Sequence, residues 1–189
     1  MKIVLASSNK NKIKEINEIV NGLGFEFILP SGDFDPIENG KTFAENSYIK
    51  ARAAWESSKT WVLADDSGLC IDSLGGKPGI YSARYAETPQ KRIDRVLTEM
   101  SNIEDRKAHF TCCMTLIAPD GSLAFSCEGI CNGSIVKQQR GVNGFGYDPI
   151  FLLERSNKTM AELSDDEKNL VSHRSKALTQ VIKYLQSVS

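Results

Sequence analysis

Apolar residues recur along the chain at two spacings, and the changes between them predict the elements. Residues 2–6 form a short apolar run ahead of Ser7-Ser8-Asn9, which reads as a buried strand followed by a turn. Ile13, Ile16, Ile19, Val20 and Leu23 then fall on one side of a helix, closed by Gly22 and Gly24. Residues 25–29 predict a second strand, ended by Pro30 and a polar loop to Gly40. Residues 42–58 predict a helix whose Phe43, Ala44, Tyr48, Ala51 and Trp55 share a face, and residues 61–64 a strand. The stretch 65–86 carries Gly68, Gly75, Gly76, Pro78 and Gly79 and reads as a long loop, a feature that is usually functional in a compact domain.

Pro89 opens a helix over 89–100. Two β-type runs, 108–118 and 122–131, flank Pro119-Asp120-Gly121 and predict a hairpin. Residues 145–153 read as a short strand or strand end, while 160–163 fit no one element. Ser164 and Glu167 form a capping box that opens a last helix, with Leu170, Ala177, Leu178, Val181 and Leu185 inward. Strands alternating with helices, then a hairpin, then a helix define an α/β class with a mixed sheet. In such sheets ligands bind beyond the strand ends, which is where Ser7 and the segment after Ala64 fall.

Composition narrows the partners. The 189 residues suit one domain spanning 1–189, long enough to bury roughly 70% of its unfolded surface. Lys plus Arg number 23 against 24 Asp plus Glu, so there is no general basic field and nucleic acid is not an expected partner. No run approaches the roughly 20 apolar residues of a membrane span, and the N-terminal run is too short for a signal-peptide core. Five cysteines, an odd number without a CxxC pair, fit mostly buried thiols in a reducing cytosol.

Four segments could carry chemistry. Ser7-Ser8-Asn9-Lys10-Asn11-Lys12 joins a strand to a helix, and Lys10, Lys12 and Lys14 crowd that helix start. Backbone N–H groups with lysines make a phosphate cradle; the alternative is a solvated basic face. Asp65-Asp66-Ser67-Gly68 places two carboxylates at a strand end, suited to Mg²⁺ with substrate phosphates or to a plain Asp-rich turn. Neighbouring strand residues point opposite ways, so the two need not share a role. The segment 141–149, GVNGFGYDP, offers backbone and an aromatic face to a flat base, or a glycine-rich bend. Ser172-His173-Arg174 and Lys168 offer polar base readers, or an ordinary polar helix face.

These segments, with FAENSYIKA, LADDSGLCIDSLGGKPGIYSARYA and GFGYDPIF in the same order, resemble the inosine/xanthosine triphosphate pyrophosphatases over nearly the whole chain. The resemblance implies a long central mixed sheet flanked by helices, two lobes around a deep cleft, a cytoplasmic homodimer, and Mg²⁺-dependent hydrolysis of ITP, dITP and XTP to monophosphate and pyrophosphate. It implies that Ser7, Ser8, Asn9, Lys10, Asn11 and Lys12 bind the triphosphate, with Lys50 facing phosphate. Asp66 would bind Mg²⁺ and act as base, Glu38 would join it at the metal, and Ser67 would touch substrate. Phe145, Gly146, Tyr147 and Asp148 would hold base and sugar, with Phe145 stacking, and Lys168, His173 and Arg174 would read the purine. The chain departs from the family pattern at Ser7-Ser8-Asn9, where Thr-Gly-Asn is frequent, and around Glu38, where two acids are common. Two rivals remain: a nucleotide-binding module without turnover, in which Asp66 would be spare, and a pyrophosphatase for modified pyrimidine nucleotides.

Overall fold

The computed structural model describes residues 1–188. Its strands are β1 (Lys2–Leu5), β2 (Glu26–Ile28), β3 (Val62–Ile71), β4 (Lys107–Ile117), β5 (Leu123–Ile135) and β6 (Phe151–Leu153). The helices are α1 (Lys10–Ile19), α2 (Phe43–Ser58), α3 (Pro89–Glu99), α4 (Asp165–Val171) and α5 (His173–Val188). The six strands form one sheet in the order β2-β1-β3-β4-β5-β6. β1 runs parallel to β2 and β3, whereas β5 and β6 are antiparallel, so the sheet is mixed. The chain divides into two compact units: Met1–Asp66, Cys112–Gly129 and Arg174–Ser189 make one, Ser67–Thr111 and Ile130–His173 the other.

In the first unit the period-2 pattern of the strands separates two apolar layers. Ile3, Leu5 and Leu63 pack with Ile16 and Val20 of the α1 segment and with Ala177, Leu178, Val181 and Leu185 of α5. The intervening Val4, Ala6, Val62 and Ala64 pack instead with Ala51 and Ala54 of α2. Each fully buried Leu or Ile contributes about 1.5–3 kcal/mol to folding. The second unit has its own core, in which Leu69, Ile71, Phe110 and Phe151 meet Ile93 and Val96 of α3 and Met100 just beyond it.

Side-chain caps set several boundaries, and the expected Pro89 start and Ser164/Glu167 capping box are among them. Asn9 caps α1, its side chain accepting from Asn11 N and Lys12 N. Thr42 caps α2, and Thr88 with Pro89 opens α3. The capping box of Ser164 and Glu167 opens α4.

Other expectations need correction. The stretch 65–86 is not a structureless loop: β3 continues to Ile71, followed by 3-10 turns over Asp72–Leu74 and Gly79–Arg84. Asp, Ser and Gly favour turns in isolation, but here β3 lies inside the sheet, between β1 and β4, and buries Leu69 and Ile71. Residues 145–153 hold only the three-residue β6, because Asp148–Ile150 turns as a 3-10 segment. The last helix is two helices separated at Ser172, whose extended backbone (φ −67°, ψ 154°) ends α4. That break leaves Leu170 exposed at 81% rather than inward. The buried side of α2 is also not the apolar stripe: Tyr48 is exposed, while Asn46, Ser47 and Lys50 are buried beside Ala51 and Ala54. A helix that buries polar groups does so to place them, and the α2 positions below show where.

All five cysteines are free. Burial, aided by the neighbouring Glu128 carboxylate, pushes the Cys113 thiol up to about 12, and burial raises Cys127 to about 11. The thiolate is the reactive form. Cys113 and Cys127 therefore react slowly with a disulfide reagent in the native protein at pH 8, and promptly after unfolding. Labelling followed by peptide mapping checks this; rapid native modification of Cys113 would contradict its buried setting.

Candidate active site

The adjacent carboxylates of β3 face opposite ways, as strand geometry requires. Asp65 shares parity with Leu63, on the α1/α5 side, and Asp66 with Val62 and Ala64, on the α2 side. Within the first unit Asp66 accordingly pairs with Lys50, and Asp65 with Lys12 and Arg174.

On the α2 side, Lys50 Nζ lies 3.2 Å from Asp66 Oδ1 and 3.4 Å from Glu38 Oε1. α2 supports this group twice more. Asn46 Oδ1 accepts from Gly40 N at 2.9 Å and so ties down the loop that carries Glu38. Ser47 Oγ donates to the carbonyl of Ala64 at 3.1 Å, just before the Asp pair, and lies 3.0 Å from the Thr115 hydroxyl. Burial disfavours the Lys50 ammonium, but Asp66, Asp65 and Glu38 together outweigh it and raise its pKa above the ordinary lysine value. Burial is the largest influence on Asp66 and raises its pKa, against the opposing pull of Lys50 and Lys12. Two carboxylates against one ammonium leave a net negative charge in a half-dry setting. Asp66 Oδ2 is buried without a hydrogen-bond partner among the described residues. An unsatisfied buried carboxylate oxygen costs free energy unless a cation or proton donor meets it.

On the other side, Lys12 Nζ approaches Asp65 Oδ2 at 2.9 Å, and Arg174 Nη2 lies 3.4 Å from the same oxygen. Arg174 Nη1 also pairs with Glu15. Burial alone would raise the Asp65 pKa, yet Lys12, Arg174 and Lys50 hold it well below the usual carboxylate range. Ser7, Ser8, Asn9, Lys10 and Asn11 form the turn and helix start beside Lys12, with Ser8, Lys10 and Asn11 exposed. Asn9 N donates to Ser7 Oγ at 3.1 Å. Among the described residues the two non-glycines at positive φ are Lys59 and Arg155, so Ser8 fits this turn without a left-handed backbone.

The second unit gathers the remaining candidates. Asp148 Oδ2 accepts from Phe145 N and from Lys168 Nζ, both at 2.8 Å. Lys168 Nζ also sits 4.5 Å from the centroid of the Phe145 ring. Gly144, at φ +73°, comes so close that a Cβ there would lie 2.1 Å from Asp148 Oδ2. The glycine-rich bend and the aromatic platform are thus one construction, ordered by a buried carboxylate. Gly146 is half-buried beside them. Tyr147 is buried, and its hydroxyl donates to the carbonyl of Ser82 at 2.9 Å. His173 stacks on Phe110 at 4.7 Å between centroids. Ser67, half-buried, opens this unit in β3.

Asp66, Glu38 and Lys50 therefore come together, as do Phe145, Asp148 and Lys168. Arg174 falls with Lys12. Sequence reasoning assigned nothing to Glu15, Ser47, Asn46 or Thr115. A buried polar face on α2 could have been suspected from Asn46, Ser47 and Lys50 at near-helical spacing, but no spacing signal marks Glu15.

A mixed α/β sheet thus carries Asp66 beside Lys50 and Glu38 in one unit, and Phe145, Asp148 and Lys168 gather in the other. Residues 3–184 match the model of the Ham1 family, and the chain belongs to that family. It is 43% identical to a dITP/XTP pyrophosphatase of Treponema denticola, over 98% of this chain and 99% of that one. It is 44% identical to a dITP/XTP pyrophosphatase of Oceanobacillus iheyensis, over 99% of each. The structure of the Staphylococcus aureus Ham1 protein superimposes with a TM-score of 0.89 at 38% identity, covering 100% of both chains.

Proposed function

We propose that this chain hydrolyses non-standard purine nucleoside triphosphates, ITP, dITP and XTP, to the monophosphate and pyrophosphate. It is a nucleoside-triphosphate pyrophosphatase, and its work is to keep such nucleotides out of nucleic acids. The observation that carries the reading is the pairless Asp66 Oδ2, held beside Lys50 and Glu38 in a cluster with excess negative charge. The names of the relatives support the substrate class.

The residues fit a hard divalent cation. Mg²⁺ is typically held through one or two carboxylates plus substrate phosphates, and Asp66 with Glu38 supplies such a pair. Bound there, Mg²⁺ would neutralise phosphate oxygens and acidify the attacking water. Asp66 accepts the proton of the water that attacks the α-phosphorus. Lys50 places positive charge against the phosphates, and Lys12 with the turn Ser7 to Asn11 grips the remaining tail. In phosphoryl-type transfer, positioning and charge neutralisation supply most of the rate. Phe145 stacks on the purine, Gly146, Tyr147 and Asp148 hold the bend against base and sugar, and Ser67 touches substrate. Lys168, His173 and Arg174 read the 6-oxo group, where a 6-amino base would set donor against donor. A cytoplasmic location and a homodimer belong to this reading.

A panel of ITP, dITP, XTP, GTP, ATP and modified pyrimidine triphosphates tests it. The expected result is kcat/KM highest for the inosine and xanthosine nucleotides. Arg174→Ala lowers the ITP/ATP ratio of kcat/KM; an unchanged ratio would remove Arg174 from the base site. Preference for a pyrimidine nucleotide would overturn the substrate assignment.

A further inference from the structure

One buried carboxylate joins two cations to which the proposed function gives separate tasks. Asp65 Oδ2 lies 2.9 Å from Lys12 Nζ and 3.4 Å from Arg174 Nη2. Glu15, one turn beyond Lys12 on α1, takes the other terminal nitrogen of Arg174. Asp65 and Arg174 are fully buried, and the Lys12 side chain is 14% exposed. Two cations and two anions balance, so the group is neutral as it stands. The charges come from β3, α1 and the first turn of α5, elements that pack in one apolar layer. A guanidinium held on both terminal nitrogens is a planar fork with little freedom to re-aim. Moving Lys12 takes the nearer of these two cations from Asp65, and the shared hydrogen-bonded network must readjust as a whole.

Resting on the reading of Lys12 as a phosphate ligand and Arg174 as a base reader, we propose that Asp65 is a positioning residue that couples the two. It sets the triphosphate-gripping ammonium and the base-reading guanidinium against one another. Base choice therefore depends on the phosphate end of the site. Asp65 touches neither water nor substrate in this account. It acts through Lys12 and Arg174, while its neighbour Asp66 acts on the opposite face of the strand. The ammonium bound to phosphate and the guanidinium bound to a 6-oxo purine are then found in one arrangement, and a misplacement of about 1 Å at such a reader can cost about 10²-fold.

The test uses the full chain and steady-state kinetics with ITP and ATP for the wild type, Arg174→Ala, Asp65→Asn, Asp65→Glu and Lys12→Met. Asp65→Asn is expected to raise KM for both nucleotides and to lower the ITP/ATP ratio of kcat/KM by about tenfold, with circular dichroism unchanged. Asp65→Glu recovers part of the ratio. Lys12→Met, a change at the phosphate end alone, also lowers the ratio by about tenfold, and it decides the matter even where Asp65→Asn does not fold. If Lys12→Met and any folded Asp65→Asn keep the ratio within about twofold of wild type while Arg174→Ala lowers it, the coupling is refuted and the base reading stands. An Arg174→Ala enzyme with wild-type selectivity would instead refute the reading on which the coupling rests.

Discussion

Asp66→Asn loses most turnover, about 10²–10⁴-fold in kcat, while the protein keeps its fold. The amide occupies the same volume within β3 but cannot accept a proton from water, and it removes one negative charge from the cluster with Lys50 and Glu38. Lys50 retains Glu38 at 3.4 Å, so the ammonium stays partnered and the α2 side of the unit need not rearrange. The loss belongs to kcat more than to KM, because the proposed phosphate ligand Lys12 and the proposed base platform Phe145 lie on other elements. Rates at saturating ITP and Mg²⁺, beside a thermal melt, check this. Near wild-type turnover would show that some other group handles the proton.

Asp148→Ala is the second large effect, and it falls first on stability. The carboxylate accepts from both Phe145 N and Lys168 Nζ, and both side chains of the ion pair are almost fully buried. Removing one partner of a buried pair costs about 3–5 kcal/mol. For a chain of this size that lowers Tm by about 6–20 °C. The Phe145 ring loses its fixed orientation at the same time, so KM for purine triphosphates rises in whatever enzyme remains folded. Asp148→Asn keeps an acceptor for Phe145 N and should melt at a temperature between the two. A melting temperature for Asp148→Ala within a few degrees of wild type would mean that the pair contributes little to either role.

The fold class was legible because the apolar spacing is regular where strands and helices carry the core. Ile3 and Leu5 against Val4 and Ala6, or Ile16 and Val20 along α1, can be read directly. Reading failed where tertiary placement overrides local chemistry. Gly68 and the flanking Asp and Ser look like a turn, yet sheet neighbours on both sides keep residues 66–71 extended. On α2 the apolar stripe misleads, because the buried face is chosen for Asn46, Ser47 and Lys50 rather than for Tyr48. At Ser172 nothing in the composition separates a continuous helix from two.

The site was legible as a set of residue types and illegible as a set of partnerships. Strand parity alone separates Asp65 from Asp66, and that separation holds in the structure. It cannot say that Asp65 meets Lys12 and Arg174, which lie far away in the chain. Glu15 illustrates the limit: an acid among the lysines of a helix start looks like solvated charge until its side chain is seen against Arg174.

The central claim is hydrolysis at an acid-lined phosphate site, and product analysis after incubation with ITP tests it most directly. With Mg²⁺ present the enzyme is expected to release IMP and pyrophosphate in equal amounts, turnover after turnover, and to lose both products when EDTA is added. Tight binding of ITP without product, or release of orthophosphate in place of pyrophosphate, would contradict it.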